Sequence, residues 1–307
     1  MKFNLALFLQ LNEEYREKPI VPAPPLYDAE SLAERSTRRA KLINKAVPIA
    51  NKRVLEIGCG RGEICRALNE FYGCETVGVD VSQYAEWQIA RKGVQLLQMD
   101  LSAPDTADIG EFDVIYSNSV WEHLRHPFTM LQKSYKLLKP GGVMLLSANL
   151  YRGPKASHRY REVFFPWPHL LFSDEVFAEF YEHNGGAPVG DGWVDANSLE
   201  QSYRCNVAKG PAWVNQLSIA DYYRYFQLVG FDVRNVRFSI TALDEGFLTR
   251  FADKLDRFPR YDLERDFIHA ELVKSGRSTN LVSAGGTNER RFSLSEILSK
   301  AVSRRTR

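Results

Sequence analysis

Cysteine is scarce and unpatterned. Cys59, Cys65, Cys74 and Cys205 form no CxxC pair and no regular spacing, which excludes a structural metal built from cysteine and a disulfide framework. Small buried thiols in a reducing, cytoplasmic compartment are the expectation. An excess of one charge is missing too. The 307 residues carry 40 Lys and Arg against 38 Asp and Glu, a formal net charge of +2, so electrostatics does not point to nucleic acid as a partner. Long hydrophobic runs are also lacking. The N-terminal MKFNLALFLQLNEEYREK meets acids by Glu13 and Glu14, too soon to span a bilayer, and it lacks the small-residue site of a signal peptide. It reads as a packed or partner-facing helix. No transmembrane segment is expected, and any contact with lipid headgroups is left to this stretch and the C-terminal tail.

What is present is an ordered alternation. KPIVPAPPLYD, with four prolines between Lys18 and Asp28, is an extended connector. AESLAERSTRRAKLINKAV follows as an amphipathic helix. Strands are predicted at Val54–Ile57, Thr76–Val79, Val94–Gln98, Val114–Ser117 and Val143–Ser147, with helices near Arg61–Tyr72, Gln83–Arg91 and Pro127–Leu138. Such alternation requires a doubly wound, mostly parallel α/β sheet, Rossmann-like in architecture. SIADYYRYFQLVGFDVRNVRFSI repeats helix–strand, and Phe267–Ser275 can close the sheet. The predicted division is 1–50 for N-terminal helices and connector, 51–149 for a nucleotide-binding core, 150–216 for a cap insertion between the fifth and sixth strands, 217–275 for completion of the sheet, and 276–307 for a flexible basic tail with a helix at Phe292–Val302.

RVLEIGCGRGEICRAL, Arg53 to Leu68, hands a strand over to a helix through Gly58-x-Gly60-x-Gly62. A glycine turn alone is also compatible with phosphate loops and dinucleotide folds. Here no GK[ST] follows, and Glu56 precedes the glycines, where a carboxylate suits an ammonium or sulfonium and not a pyrophosphate. Asp80 ends the second strand and can accept both hydrogen bonds of a ribose diol. Asp100 ends the third strand and can accept from an adenine amino group. Acceptors for an amine, a diol and an adenine, without a dedicated phosphate donor, fit S-adenosylmethionine better than NAD or ATP.

VLEIGCGRG, GVDVS, MDL, FDVIYSNSVWEHL and LLKPGGVMLL occur in this order. Together they resemble the class I S-adenosylmethionine-dependent methyltransferases, in the broad group that includes the ubiquinone-biosynthesis enzymes. The resemblance covers residues 50–150 and, by helix–strand pattern alone, 217–275. It implies that Glu56, Gly58 and Gly60 line the methionine end of the cofactor, that Asp80 with neighbouring Val81 takes the ribose, that Asp100 and Leu101 meet the adenine, and that Asn118 lies beside the transferable methyl. The resemblance to the quinone-pathway members also suggests a metal-dependent variant, in which an additional acid three residues before the Glu-His pair would join Glu122 and His123. That position is Ser119 here, and no metal site is assigned.

The place after the fourth strand reads Asn118-Ser119-Val120-Trp121, not the Asn/Asp-Pro-Pro-aromatic loop of many nucleic-acid nitrogen methyltransferases. Oxygen methylation needs a base as the hydroxyl proton leaves, and WEHLRHP supplies Glu122, His123 and His126. His123 is equally readable as a residue that packs or orients the helix. Nine aromatics fall between Tyr151 and Tyr181, in a chain that is 12% aromatic overall. Among them Phe172, Phe177 and Phe180 have the spacing of a small core. His158 and His169 are read as further base candidates, and Arg152, Arg159, Arg161 and Trp167 as a substrate-facing set, since rings cover sugar C–H faces and guanidiniums take phosphate or carboxylate. The expected acceptor is a hydroxyl of a sugar or glycan precursor, with a loose resemblance to methyltransferases of bacterial surface-polysaccharide pathways. A phenolic, quinone or lipid acceptor is the alternative, and a silent cofactor-binding module that regulates a partner is a third reading.

Overall fold

Arg53–Ile57 (β1) is buried at every position after the first, as a strand covered on both faces requires. Leu55 and Ile57 enter one core while Val54 enters another on the opposite face. Around β1 the computed structural model, which describes residues 1–23, 28–89, 91–103, 108–159, 162–184 and 214–275, sets six further strands: β2 (Glu75–Asp80), β3 (Val94–Gln98), β4 (Phe112–Asn118), β5 (Leu138–Asn149), β6 (Phe231–Ile240) and β7 (Arg265–Lys274). Their order is β3-β2-β1-β4-β5-β7-β6. The first five in the chain pair in parallel, and β7 runs antiparallel to both its neighbours. This is the doubly wound, mostly parallel sheet expected from the alternation. The strand order reverses between β1 and β4, and ligands of such sheets bind where that happens, beyond the carboxyl ends of the strands.

One face of the sheet is covered by α2 (Ala29–Ala46) and α3 (Glu63–Tyr72) through Ala40, Ile43 and Leu68 against Val54, Val114 and Val143. The other is covered by α4 (Pro127–Leu137) and α7 (Ile219–Val229) through Met130, Leu131, Tyr222 and Phe226. Local chemistry fixes the helix ends. Asp28 accepts from the Ser31 amide at 2.9 Å to start α2, and Ser218 with Asp221 forms a capping box at α7.

Two predicted elements change. β5 starts at Leu138 and not Val143. The helix expected at Gln83–Arg91 is a single 3-10 turn, Ala85–Gln88, with no buried residue. Its strand β3 is the sheet edge and half exposed, so there is little apolar surface for an amphipathic helix to cover.

The described part of the insertion builds a core of its own. Its helices α5 (Pro168–Leu171) and α6 (Asp174–His183) pack with α1 (Leu5–Glu14) and with α8 (Glu245–Arg250), α9 (Ala252–Leu255) and α10 (Arg260–Leu263). Phe8 of α1 is fully buried, with ring centroids of Phe165, Phe172, Phe177 and Phe180 at 5.1, 4.9, 5.2 and 4.6 Å. Asn12 stitches the same helix to the insertion, donating to the Glu162 carbonyl at 2.9 Å and accepting from the Phe164 amide at 2.8 Å. The remainder of the predicted cap, 185–213, and the tail helix at Phe292–Val302 lie outside the described residues. Among those described, no helix is long and apolar enough to cross a membrane.

Candidate active site

The glycine turn is built by Asp80. One carboxylate oxygen accepts from the Gly60 amide at 2.9 Å and the other from the Ser82 amide at 3.0 Å. A carboxylate oxygen has two lone pairs, so the carboxylate keeps acceptor capacity for an outside donor, as a ribose hydroxyl demands. Burial raises the Asp80 carboxyl above its ordinary range, against the backbone amides that lower it. Gly58 adopts φ 75°, and a Cβ there would lie 2.1 Å from Val120 Cγ2. Gly60 adopts φ 51°, and a Cβ there would meet nothing within 4 Å. The backbone is therefore locked on its inner side and open on its outer one. Trp87 donates its indole N–H to the Gly60 carbonyl at 2.7 Å, a support that the sequence reading missed; its only signal is a tryptophan one turn beyond GVDVS.

Glu56 is the last residue of β1 on the α2–α3 face and is 4% exposed. Its carboxyl is pushed up to about 8, chiefly by burial and further by Glu63 and Asp80, while the Cys65 thiol that donates to it at 3.1 Å pulls the other way. Of the other residues expected at the cofactor, Val81 is half-buried and Leu101 places its side chain in the main core. Asp100 is exposed and accepts from the Ser102 amide and hydroxyl at 2.8 and 2.6 Å. Asn118, half-buried at the end of β4, donates to Ser119 Oγ at 3.0 Å.

Past β4 the backbone bends sharply. Ser119 takes φ 56°, Val120 sits against Gly58, and a 3-10 turn, Trp121–His123, buries all three of its residues. Glu122 is 1% exposed, and its Oε1 accepts from Asn149 Nδ2 at 2.7 Å. Its Oε2 is buried without a hydrogen-bond partner among the described residues. Burial raises the Glu122 carboxyl, with His123 opposing. The Tyr222 hydroxyl, from α7, is raised by burial and by the Glu122 charge. His158 arrives from the insertion with φ 56° and 6% exposure, its ring 5.0 Å from that of His123 and inclined at 74°. Burial holds the His158 imidazole well below its usual value, and His123, Arg159 and His169 add to this. One ligand atom from each of Glu122, His123 and His158 lies within 4.8 Å of the others. Sequence spacing could not reveal this meeting, because His158 is far along the chain from Glu122 and His123.

Among the described residues, the rest of the predicted catalytic and substrate set makes other contacts. His169 is held at 2.7 Å from the Tyr151 carbonyl through Nε2, and burial lowers its pKa to about 4. Trp167 is 1% exposed in the second core, donating to the Arg152 carbonyl at 3.1 Å. Arg152 is paired with Asp262 and stacks over Phe258 at 5.2 Å. Arg159 is 3% exposed, 6.0 Å from the Tyr181 ring. Arg161 lies outside the described residues. His126 is exposed. Rings and guanidiniums drawn together in sequence are thus largely drawn into packing.

The methyltransferase domain family matches residues 31–236. The chain belongs to that family. It is a class I S-adenosylmethionine-dependent methyltransferase, with S-adenosylmethionine as its cofactor. A ubiquinone biosynthesis O-methyltransferase of Pseudomonas aeruginosa (strain LESB58) is 32% identical to this methyltransferase over 139 residues, 43% of this chain and 56% of that protein. One of Dechloromonas aromatica (strain RCB) is 30% identical over 138 residues, with the same shares. The chain spans about half the length of the curated relatives it matches. A solved S-adenosylmethionine dependent methyltransferase from Mesorhizobium loti is similar at 15% identity and a TM-score of 0.46, over 79% of this chain and 97% of that one.

Proposed function

We infer that this methyltransferase moves the sulfonium methyl of S-adenosylmethionine to a hydroxyl oxygen of a small phenolic or quinone-type acceptor. The observation that carries the reading is the buried Glu122–His123–His158 cluster, in which Glu122 and His123 follow Val120, the residue packed against the glycine turn. An in-line displacement asks the protein to align two reactants and exclude water. A hydroxyl additionally needs a group that handles its proton or its developing charge, and this cluster supplies one. The methyl carbon–sulfur bond breaks as the oxygen–carbon bond forms, leaving adenosylhomocysteine, a methyl ether and a proton. Asp80 takes the ribose diol with its remaining acceptor capacity. Glu56 faces the methionine ammonium, Gly58 and Gly60 bring the backbone close, Val81 lies beside the ribose, Asp100 and Leu101 flank the adenine, and Asn118 lies beside the methyl.

A sugar or glycan precursor is the less supported acceptor. Trp167, Arg152 and His169, which made that case in the sequence, are held by packing, an ion pair and a backbone carbonyl. The relatives' names, which speak of ubiquinone biosynthesis and O-methyl transfer, favour a quinone-type acceptor and oxygen as the methylated atom. The test is adenosylhomocysteine release from purified chain with S-adenosylmethionine and either a catechol-type phenol, a hydroxylated quinone precursor or a nucleotide sugar. Turnover confined to the phenol and quinone precursor is expected. Turnover of the nucleotide sugar alone would restore the carbohydrate reading, and cofactor binding without turnover of any of them would point to a silent regulatory module.

A further inference from the structure

Two buried polar atoms belong to one side-chain cluster. Glu122 Oε2 and His158 Nε2 belong to residues 1% and 6% exposed, and neither has a hydrogen-bond partner among the described residues. Leaving such groups unpaired in a protein interior is costly. His123 is the third member, and one donor atom from each of the three lies within 4.8 Å of the others. We propose that Glu122, His123 and His158 form a three-ligand site for a divalent first-row transition ion of the zinc class.

The donor set decides the class. Two imidazoles and one carboxylate suit zinc and its neighbours, whereas magnesium and calcium are held by oxygen ligands and water. With metal–ligand bonds of about 2 Å, a shared ion draws its donors to roughly 3–4 Å apart, a small contraction from the separation present. The surroundings are arranged as a metal site's support requires. Asn149 holds Glu122 Oε1 at 2.7 Å, so that Oε2 is the oxygen presented inward. His158 is kept in left-handed backbone by a short turn whose amide–carbonyl bond to Lys155 is 3.2 Å. That turn is fastened in its turn, because Lys155 pairs with Asp266 at 3.2 Å. Three protein ligands leave a fourth position for water or an acceptor hydroxyl, whose pKa the ion lowers. Only this last use of the ion rests on the methyl-transfer reading; binding of the ion does not.

The test uses the full chain, stripped with a chelator and titrated with cobalt(II) as the probe. Saturable visible d–d absorption at one cobalt per chain, displaced by zinc and not by magnesium, is expected. Glu122→Gln keeps the bond from Asn149, and His158→Asn tolerates the φ of 56°, so both variants suit the fold. Each should weaken cobalt binding by more than roughly 10–100-fold, the effect of losing a supporting partner alone, with adenosylhomocysteine affinity unchanged as the measure of folding. Absence of saturable absorption in the wild-type chain, or wild-type cobalt affinity in either variant, overturns the site. Cobalt binding without any methyl transfer would instead overturn the function and leave the site standing; methyl transfer without cobalt binding does the reverse.

Discussion

Glu56 is a carboxyl that accepts from the Cys65 thiol, buried beneath a turn that also holds Asp80. It keeps its proton in the folded chain up to about pH 8 but gives it up near 4.5 when exposed. Between these values the folded state binds the extra proton, so this group's contribution to stability falls as pH rises through that window and is flat above it. The fall is at most about 5 kcal/mol. Glu56→Gln should therefore show a flatter dependence of melting temperature on pH than the wild type; equal slopes in scanning calorimetry would refute the assignment. The same proton reports on the cofactor. An ammonium placed beside Glu56 favours its charged form, so binding S-adenosylmethionine near neutral pH should release a proton that the glutamine variant does not. Calorimetric titration in two buffers of different ionisation enthalpy reads it directly. Asp80→Asn, which gives up one acceptor oxygen, should cost about 1.5–3 kcal/mol of cofactor affinity; unchanged affinity would remove Asp80 from the site.

At the scale of elements the glycine turn separates what folding requires from what the ligand requires. In Gly58→Ala the new methyl overlaps Val120 at 2.1 Å while the backbone stays at φ 75°, and a loss of about 3 kcal/mol or more is expected. Adding Val120→Ala removes the nearest clash and should recover part of it. Gly60→Ala meets open space at φ 51°, so its stability loss should be about 1–2 kcal/mol, yet its methyl stands where the cofactor must approach. Cofactor affinity should fall more in Gly60→Ala than its melting temperature suggests, and a proportionate fall would refute the open outer side. These elements were legible because β1 to β4 alternate with turns whose residue types have a purpose: an acid before the glycines, an acid at the end of β2. The segment after β2 was not, since a helical pattern means little beside an edge strand with no surface to cover. His158 was legible as a candidate but not as a neighbour of His123. That proximity depends on Leu150–Arg159 folding back, and nothing in the local spacing encodes it.

Across the whole molecule the cofactor half and the insertion rest on different cores. The sheet with α2, α3, α4 and α7 fixes Glu56, Asp80 and the glycine turn. The second core, drawn from both ends of the described chain and from the insertion, stands behind the segment that delivers His158. Phe8 is the residue that ties it together, since it touches four insertion rings from an N-terminal helix. Phe8→Ala leaves a cavity where those rings met and should cost about 3–5 kcal/mol of stability. The consequence for function should be uneven. At a temperature where the variant remains folded, adenosylhomocysteine affinity should stay near the wild-type value, because Phe8 belongs to the second core and not to the two cores of the sheet. Turnover should fall well below it, because the insertion that presents His158 has lost its anchor. Equal losses of both would mean that the two cores fold and act as one unit, and that the N-terminal helix supports the cofactor as directly as it supports His158.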